Sequence, residues 1–357
     1  MGSRVGQDAI SPHQDGDGQP RRARCHLASP GWGRAAASGE MPSRPTRMGT
    51  GSRVGQDAIL PYQDRETDMT DVTEQIQAKA QELLSAGEVG CVIGYETGPR
   101  GVVRPFFAYE PDEVGRLVWN ERCDHNLTTY LSAWKRSHAR EQEPSRVGIV
   151  VKACDARALN VLFQERQIER AWVYAIGVVC QGMRDGDGDD APLQARCQRC
   201  AERTPVVHDL LVGEPTVAPA RDDWTGIEAL EAMTARERLV FWTRQFDRCL
   251  RCYACRQACP GCYCYECLAE QVDPQWVGIG IDFPEKYFFH VMRAYHLAGR
   301  CVDCDECERV CPVNIPLSLL NRRIAREIAE LFDYTPGLSP DEASPLTTFL
   351  PNEELPL

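Results

Sequence analysis

Cys249-Leu-Arg-Cys252-Tyr-Ala-Cys255-Arg-Gln-Ala-Cys259-Pro260 and Cys301-Val-Asp-Cys304-Asp-Glu-Cys307-Glu-Arg-Val-Cys311-Pro312 repeat one pattern, and that pattern decides the last third of the chain. Three thiolates at this spacing reach three irons of a cubane cluster. The fourth, beside a proline that turns the chain away, reaches the cluster held by the other run. The spacing therefore predicts Cys249, Cys252, Cys255 and Cys311 around one 4Fe–4S cluster, and Cys301, Cys304, Cys307 and Cys259 around a second. Such clusters move single electrons.

Structural zinc fits these runs poorly, because it uses ligand pairs separated by a longer loop and closes at four. A disulfide scaffold belongs to short secreted chains, whereas this one has 357 residues and no stretch that reads as a secretory signal. With 18 cysteines, the expectation is a metal-binding protein of the reducing cytoplasm.

At 43% hydrophobic content the chain can bury two or three cores, and no run approaches the length of a membrane span. A net charge of −12 argues against a nucleic-acid surface, which needs clustered Lys and Arg. The only lysines are Lys79, Lys135, Lys152 and Lys286, and the arginines spread evenly.

Residues 2–15 recur at 51–64 with two changes, Ser11 to Leu60 and His13 to Tyr62, in a Gly-, Pro- and Arg-rich region without hydrophobic periodicity. The reading there is a disordered extension over 1–68, not native coding sequence, with Met69 as the true start. Peptides from 1–68 in native protein, found by mass spectrometry, would refute that.

From Glu88 to Gly213 short β-branched runs alternate with helical stretches, which is α/β patterning. Strands are expected at Val89–Tyr95, Val102–Phe107, Val147–Lys152 and Trp172–Val179, with Asp155 capping a helix over Ala156–Glu165. The acidic loop 184–190 lacks the closing Glu of a calcium loop and reads as a solvated connection. Residues 214–227 read as a linker, and one helix is expected over Ile227–Phe246.

Between the cysteine runs, Asp282-Phe-Pro284 opens a helix over Lys286–Ala298 that ends at Gly299; it carries His290 and His296. Each histidine reads first as structural, although one near a cluster would tune its potential. Leu317, Leu320, Ile324, Ile328 and Leu331 describe a last amphipathic helix, and the Pro-rich tail reads as an extended arm for a partner.

The paired runs with a long helical insert resemble the α-helical dicluster ferredoxin domain of heterodisulfide reductase and succinate dehydrogenase subunits, over about 240–333. The preceding 80–213 resembles the coenzyme F420 hydrogenase/dehydrogenase β-subunit family, which includes formate dehydrogenase β-like subunits. That likeness is carried by Val150-Val-Lys-Ala-Cys154-Asp155, Ile176-Gly-Val-Val-Cys180, Cys197-Gln-Arg-Cys200 and Pro205-Val-Val-His-Asp-Leu-Leu-Val-Gly213. It implies a third 4Fe–4S cluster on Cys154, Cys180, Cys197 and Cys200, and in some members FAD and exchange of electrons with F420. Lys152 and Asp155 are the candidates for contacting a flavin or a substrate anion.

Read from the residues alone, Cys154 and Cys180 end parallel strands and open on one sheet edge, while Cys91 is core and Cys123 the replacement ligand. Cys262, Cys264 and Cys267 exceed what two clusters need. The expected architecture is thus an extension over 1–68, an α/β domain over 69–213, a linker and helix over 214–239, a mainly α-helical dicluster ferredoxin domain over 240–333, and a tail over 334–357. The expected function is an electron-transfer subunit of a cytoplasmic multi-subunit oxidoreductase of hydrogenase, formate dehydrogenase or heterodisulfide reductase class, partnered by other redox subunits. The competing reading is a self-contained FAD enzyme acting on F420 or a similar acceptor. A regulator of transcription is disfavoured, because no recognition helix appears.

Overall fold

Val147-Gly-Ile-Val-Val151 is buried at every position, which suits a central parallel strand covered on both faces. The computed structural model describes residues 69–138, 145–186, 190–216 and 224–345. The extension over 1–68, part of the acidic loop and part of the 214–227 linker lie outside the described residues.

Helix α1 (Met69–Ser85) leads into strands β1 (Cys91–Thr97) and β2 (Val103–Ala108), and α2 (Thr129–Ser137) follows. Next come β3 (Val147–Val151), α3 (Ala153–Gln164), β4 (Val173–Val178), the single turn α4 (Ala195–Gln198) and β5 (Leu210–Val212). The sheet order is β2-β1-β3-β4-β5, with β1 and β2 antiparallel and the other pairs parallel. Ile76, Ala80 and Leu83 recur at helical spacing along α1 and are all buried in the same core as the strands. Cys91 is part of that core, as its apolar strand predicts.

The capping of α3 differs from expectation. The helix starts at Ala153, so Asp155 sits inside its first turn rather than at the cap, and its carboxylate reaches back to the Lys152 amide. A carboxylate in the first turn completes a capping box with the preceding backbone, which the sequence reading had moved three residues along.

The helical region holds α5 (Thr225–Glu231), α6 (Ala235–Asp247), the turn α7 (Ala254–Gln257), α8 (Phe283–His296), the turn α9 (Glu306–Arg309) and α10 (Leu317–Phe332). The single helix expected over Ile227–Phe246 is two helices. Thr234 breaks it, accepting from the Glu237 amide at 3.3 Å while Glu237 accepts from the Thr234 amide at 2.8 Å. Leu239 and Val240 on α6 are exposed, and so is Leu331 on α10, which the apolar spacing of the last helix had placed on its buried face. The polar residues Ser318, Asn321 and Arg322 are buried instead, because that face of α10 lies toward the second cysteine run.

Residues 334–345 of the expected tail form a strap along α3, and residues 346–357 lie outside the described residues. Arg157 donates to the Pro336 carbonyl at 2.9 and 3.1 Å, Asn160 to that of Gly337 at 3.2 Å, and Gln164 to that of Ser339 at 2.7 Å. Among the described residues no helix is long and apolar enough to cross a membrane.

Candidate cluster-binding site

Both cysteine runs adopt one backbone. Arg251 and Tyr253 in the first, and Asp303 and Asp305 in the second, have φ between 50° and 59°, and each pair leads into a single helical turn, α7 or α9. Four non-glycine residues in the left-handed region cost roughly 1–2 kcal/mol each. Specific contacts hold them there: Arg251 Nη1 donates to the Gly280 carbonyl at 2.6 Å, and Arg199 grips Asp303 at 2.8 and 3.1 Å and Asp305 at 2.5 Å. The strained turns aim amides at sulfur. Arg251 N–H donates to Cys249 Sγ at 3.3 Å and Ile315 N–H to Cys311 Sγ at 3.3 Å, while Asp303 and Glu306 amides do the same for Cys301 and Cys304.

The thiols fall into sets. Cys249 stands beside Cys252 and Cys311, and Cys307 beside Cys301 and Cys304, with Cys259 coming close enough to Cys304 to feel its charge. Burial pushes Cys255 and Cys301 up to about 11 and Cys304 up to about 12. Cys262 is the exception. A hydrogen bond with Cys259 and the neighbouring Arg293 guanidinium bring it down to about 6, so it belongs between the two sets, whereas Cys264 is exposed.

A third set forms at the carboxyl edge of the sheet. Cys154 lies in the first turn of α3 and Cys180 just past β4, and α4 with the residues after it brings Cys197 and Cys200 over that edge. Amides again point at sulfur, from Gly182 to Cys180 at 3.4 Å and from Met183 to Cys197 at 3.2 Å. A cavity of about 390 Å³ is lined by these four cysteines and also by Cys301 and Cys304 of the second run. The strap supplies Tyr334, Pro336 and Leu338 to its wall.

Two arginines of α4 and its end lash the sheet domain to the second run. Buried Arg196 donates to the Cys304 carbonyl, to Glu306 Oε1 at 3.1 Å and to the Asp124 carbonyl at 2.6 Å; Arg199 holds Asp303 and Asp305. Arg300 adds a 2.7 Å pair with Glu165.

No family model matches the chain. An F420-dependent formate dehydrogenase 1 subunit beta of Methanococcus maripaludis is 38% identical over 296 aligned positions, taking in 57% of this chain and 76% of that one. The chain belongs to that β-subunit family. A second relative, the F420-dependent formate dehydrogenase subunit beta of Methanocaldococcus jannaschii, is 33% identical over 99 residues, 27% of this chain and only 25% of its own length. In a solved F420-reducing NiFe hydrogenase complex of Methanosarcina barkeri, one chain aligns at 18% identity with a TM-score of 0.25, over 33% of this chain and 43% of that one, a likeness too slight to bear on the fold.

Whether the three cysteine sets of this formate dehydrogenase β-family chain fit clusters is tested by Arg293. It is fully buried on α8, its Nη2 donates to the Cys255 carbonyl at 3.0 Å, and its Nε has no partner. The charges it feels most are the thiols of Cys262, Cys259, Cys307 and Cys255. A buried cation without enough countercharge is costly. Beyond the lowered Cys262 thiol, the thiolates of the two runs would supply that countercharge on bound clusters, so the donor set fits. Among the described residues no three His, Cys, Asp or Glu side chains close on a point that one metal ion would fill.

Lys152 lines the cavity, yet its ammonium is already held: by Tyr95 Oη at 2.8 Å, by the His125 carbonyl, and by Asp155 at 2.9 and 3.1 Å. Asp155 is wholly buried beneath it and takes no part in the lining. Burial and the loss of water push the Asp155 carboxyl up, while the adjacent carboxylate keeps Lys152 charged, its pKa well above the usual lysine value. Cys123 is buried in the sheet core, accepts from the Asn120 amide at 3.3 Å and is pushed up to about 12 by burial. Neither Cys123 nor Asp155 is among the residues on the cavity wall.

The reading of the sequence missed Arg196, Arg199 and Arg293. A signal existed. Arg196-Cys197-Gln-Arg199-Cys200 carries one cation before the cysteine pair and one inside it, and the second run carries Asp303, Asp305 and Glu306 between its cysteines, the complementary charges.

Proposed function

We propose that this chain is the iron–sulfur subunit of a formate dehydrogenase complex, relaying electrons singly between a formate-oxidising partner and a two-electron centre that exchanges hydride with coenzyme F420. The relatives' names speak of an F420-dependent formate dehydrogenase and a subunit beta; for this chain that activity is the proposal. Residues 69–213 form the α/β domain, 214–239 the linker and helix, and 240–333 the dicluster ferredoxin domain. When bound, the clusters supply one-electron carriers. Cys249, Cys252, Cys255 and Cys311 hold the first, Cys301, Cys304, Cys307 and Cys259 the second, and Cys154, Cys180, Cys197 and Cys200 the third.

One observation carries the reading: cysteines of the third set and of the second run line a single cavity, with Arg196 and Arg199 fixing their separation. Carriers held on one cavity need no motion between them. The strap and α10 cover that cavity, and the buried arginines offset the negative charge gathered there. A second reading, in which this chain itself holds FAD as that two-electron centre, has no observation of its own.

The chain purified anaerobically with its partner is expected to hold about twelve irons, four for each of three clusters, with matching labile sulfide. Cys304→Ser is expected to remove about a third of that iron and abolish formate-driven F420 reduction, with far-UV dichroism retained. Tightly bound zinc without labile sulfide would reject the reading. So would robust turnover of formate by the chain alone, with flavin released on acid extraction.

A further inference from the structure

Helix α8 fills the long insert between the two cysteine runs, and its buried polar residues are not scattered. Lys286, His290 and Arg293 are spaced i, i+4, i+7 and lie on one face, all buried. Lys286 Nζ donates to the Asp247 carbonyl at 2.7 Å, which pins the helix to the end of α6 just before Cys249. His290 then points its Nε2 at Cys249 Sγ, 3.2 Å away. Its ring is stacked on Phe246 at 4.6 Å between centroids and packed edge-on against Phe289 at 5.0 Å, so its orientation is fixed from two sides. Nδ1 is buried and without a partner, which leaves the sulfur as the hydrogen-bond partner of the ring.

We propose that His290 is a positioning residue that raises the reduction potential of the first cluster by donating its Nε2–H to the Cys249 thiolate. This rests on the reading of Cys249 as a cluster ligand. A metal-bound thiolate has no proton to give, so the imidazole must be the donor and Nδ1 the bare nitrogen. A donor on a ligating sulfur favours the reduced cluster, because reduction adds negative charge that the N–H dipole stabilises. The structural alternative, a ring that merely fills space between Phe246 and Phe289, would be served equally by phenylalanine. The aimed nitrogen separates the two. Among the described residues the second run shows a different arrangement: Cys301 takes a backbone donor, and the side-chain donor of that set, Asn321 Nδ2, reaches Cys307 at 3.4 Å.

The test is a redox titration followed by low-temperature EPR on the intact complex, comparing wild type with His290→Phe and His290→Gln. His290→Phe is expected to disfavour reduction of the first cluster about tenfold, a fall of about 59 mV for a one-electron couple. His290→Gln, which keeps an N–H donor, should recover part of that shift, and the second cluster serves as the unmoved reference. An unchanged first potential at full iron content overturns the proposal. Should the variants lose iron, wild type labelled with ¹⁵N-histidine decides: pulsed EPR of the reduced first cluster is expected to show a histidine nitrogen coupling, and its absence overturns the proposal. Wild type without any cluster signal would defeat the underlying cluster reading instead.

Discussion

Lys152→Met is expected to destabilise the chain by about 3–5 kcal/mol, because it strands Asp155 as a buried carboxylate with its cation removed. The ammonium also joins Tyr95 on β1 to the His125 carbonyl, so that loop loses its anchor as well. The pH dependence carries the signature. Burial already raises the Asp155 carboxyl, and without Lys152 nothing of comparable strength draws it down again. A group whose folded pKa exceeds its unfolded value binds more protons when folded, so stability in the variant should rise as pH falls. Anaerobic urea unfolding at pH 8 and pH 6 measures this, with Lys152→Met/Asp155→Asn as the reference expected to be more stable and flatter with pH. A single variant within about 1 kcal/mol of wild type would show that the pair is not the buried ion pair described.

Gly337→Ala comes second. Gly337 has φ of +69°, and a Cβ there would lie 2.0 Å from the Arg157 carbonyl oxygen of α3. That neighbour is helix backbone and cannot yield. Overpacking together with the left-handed conformation is expected to cost about 2–4 kcal/mol, and peeling the strap off α3 is the cheapest relief. Amide exchange should then accelerate across 334–345, and a chelator should strip iron faster from the third set, whose cavity wall includes Tyr334, Pro336 and Leu338. Wild-type exchange rates in the variant would mean that the strap does not close the cavity.

The cysteine spacing made the two runs readable, because ligand geometry there is local in sequence and strict, whereas Cys154, Cys180, Cys197 and Cys200 are dispersed and came only with the family resemblance. The four expected strands appear within two residues of their expected ends, since runs such as Val147–Val151 are apolar enough to be recognised without partners. Thr234 was hidden for the opposite reason: the apolar spacing continues through it, and only the Thr-x-x-Glu signature marks the break. The strap left no pattern at all, as its bonds run from α3 side chains to its own carbonyls, which every residue possesses. Pairings such as Arg199 with Asp303 depend on which distant segments the fold brings together, and charge composition alone does not select among them.

The exchange of fourth cysteines has a consequence for assembly. Cys311 lies beside Cys249, and Cys259 comes close to Cys304, so each four-thiol set draws on both runs. A nascent chain that has reached only Cys259 offers three thiols of the first set and one of the second. The second set is not complete until Cys307 has been made and the first not until Cys311, so both wait for the second run, and deleting either run would take ligands from both. Loss of a whole run would therefore disable both proposed centres, whereas a single substitution such as Cys304→Ser disables one.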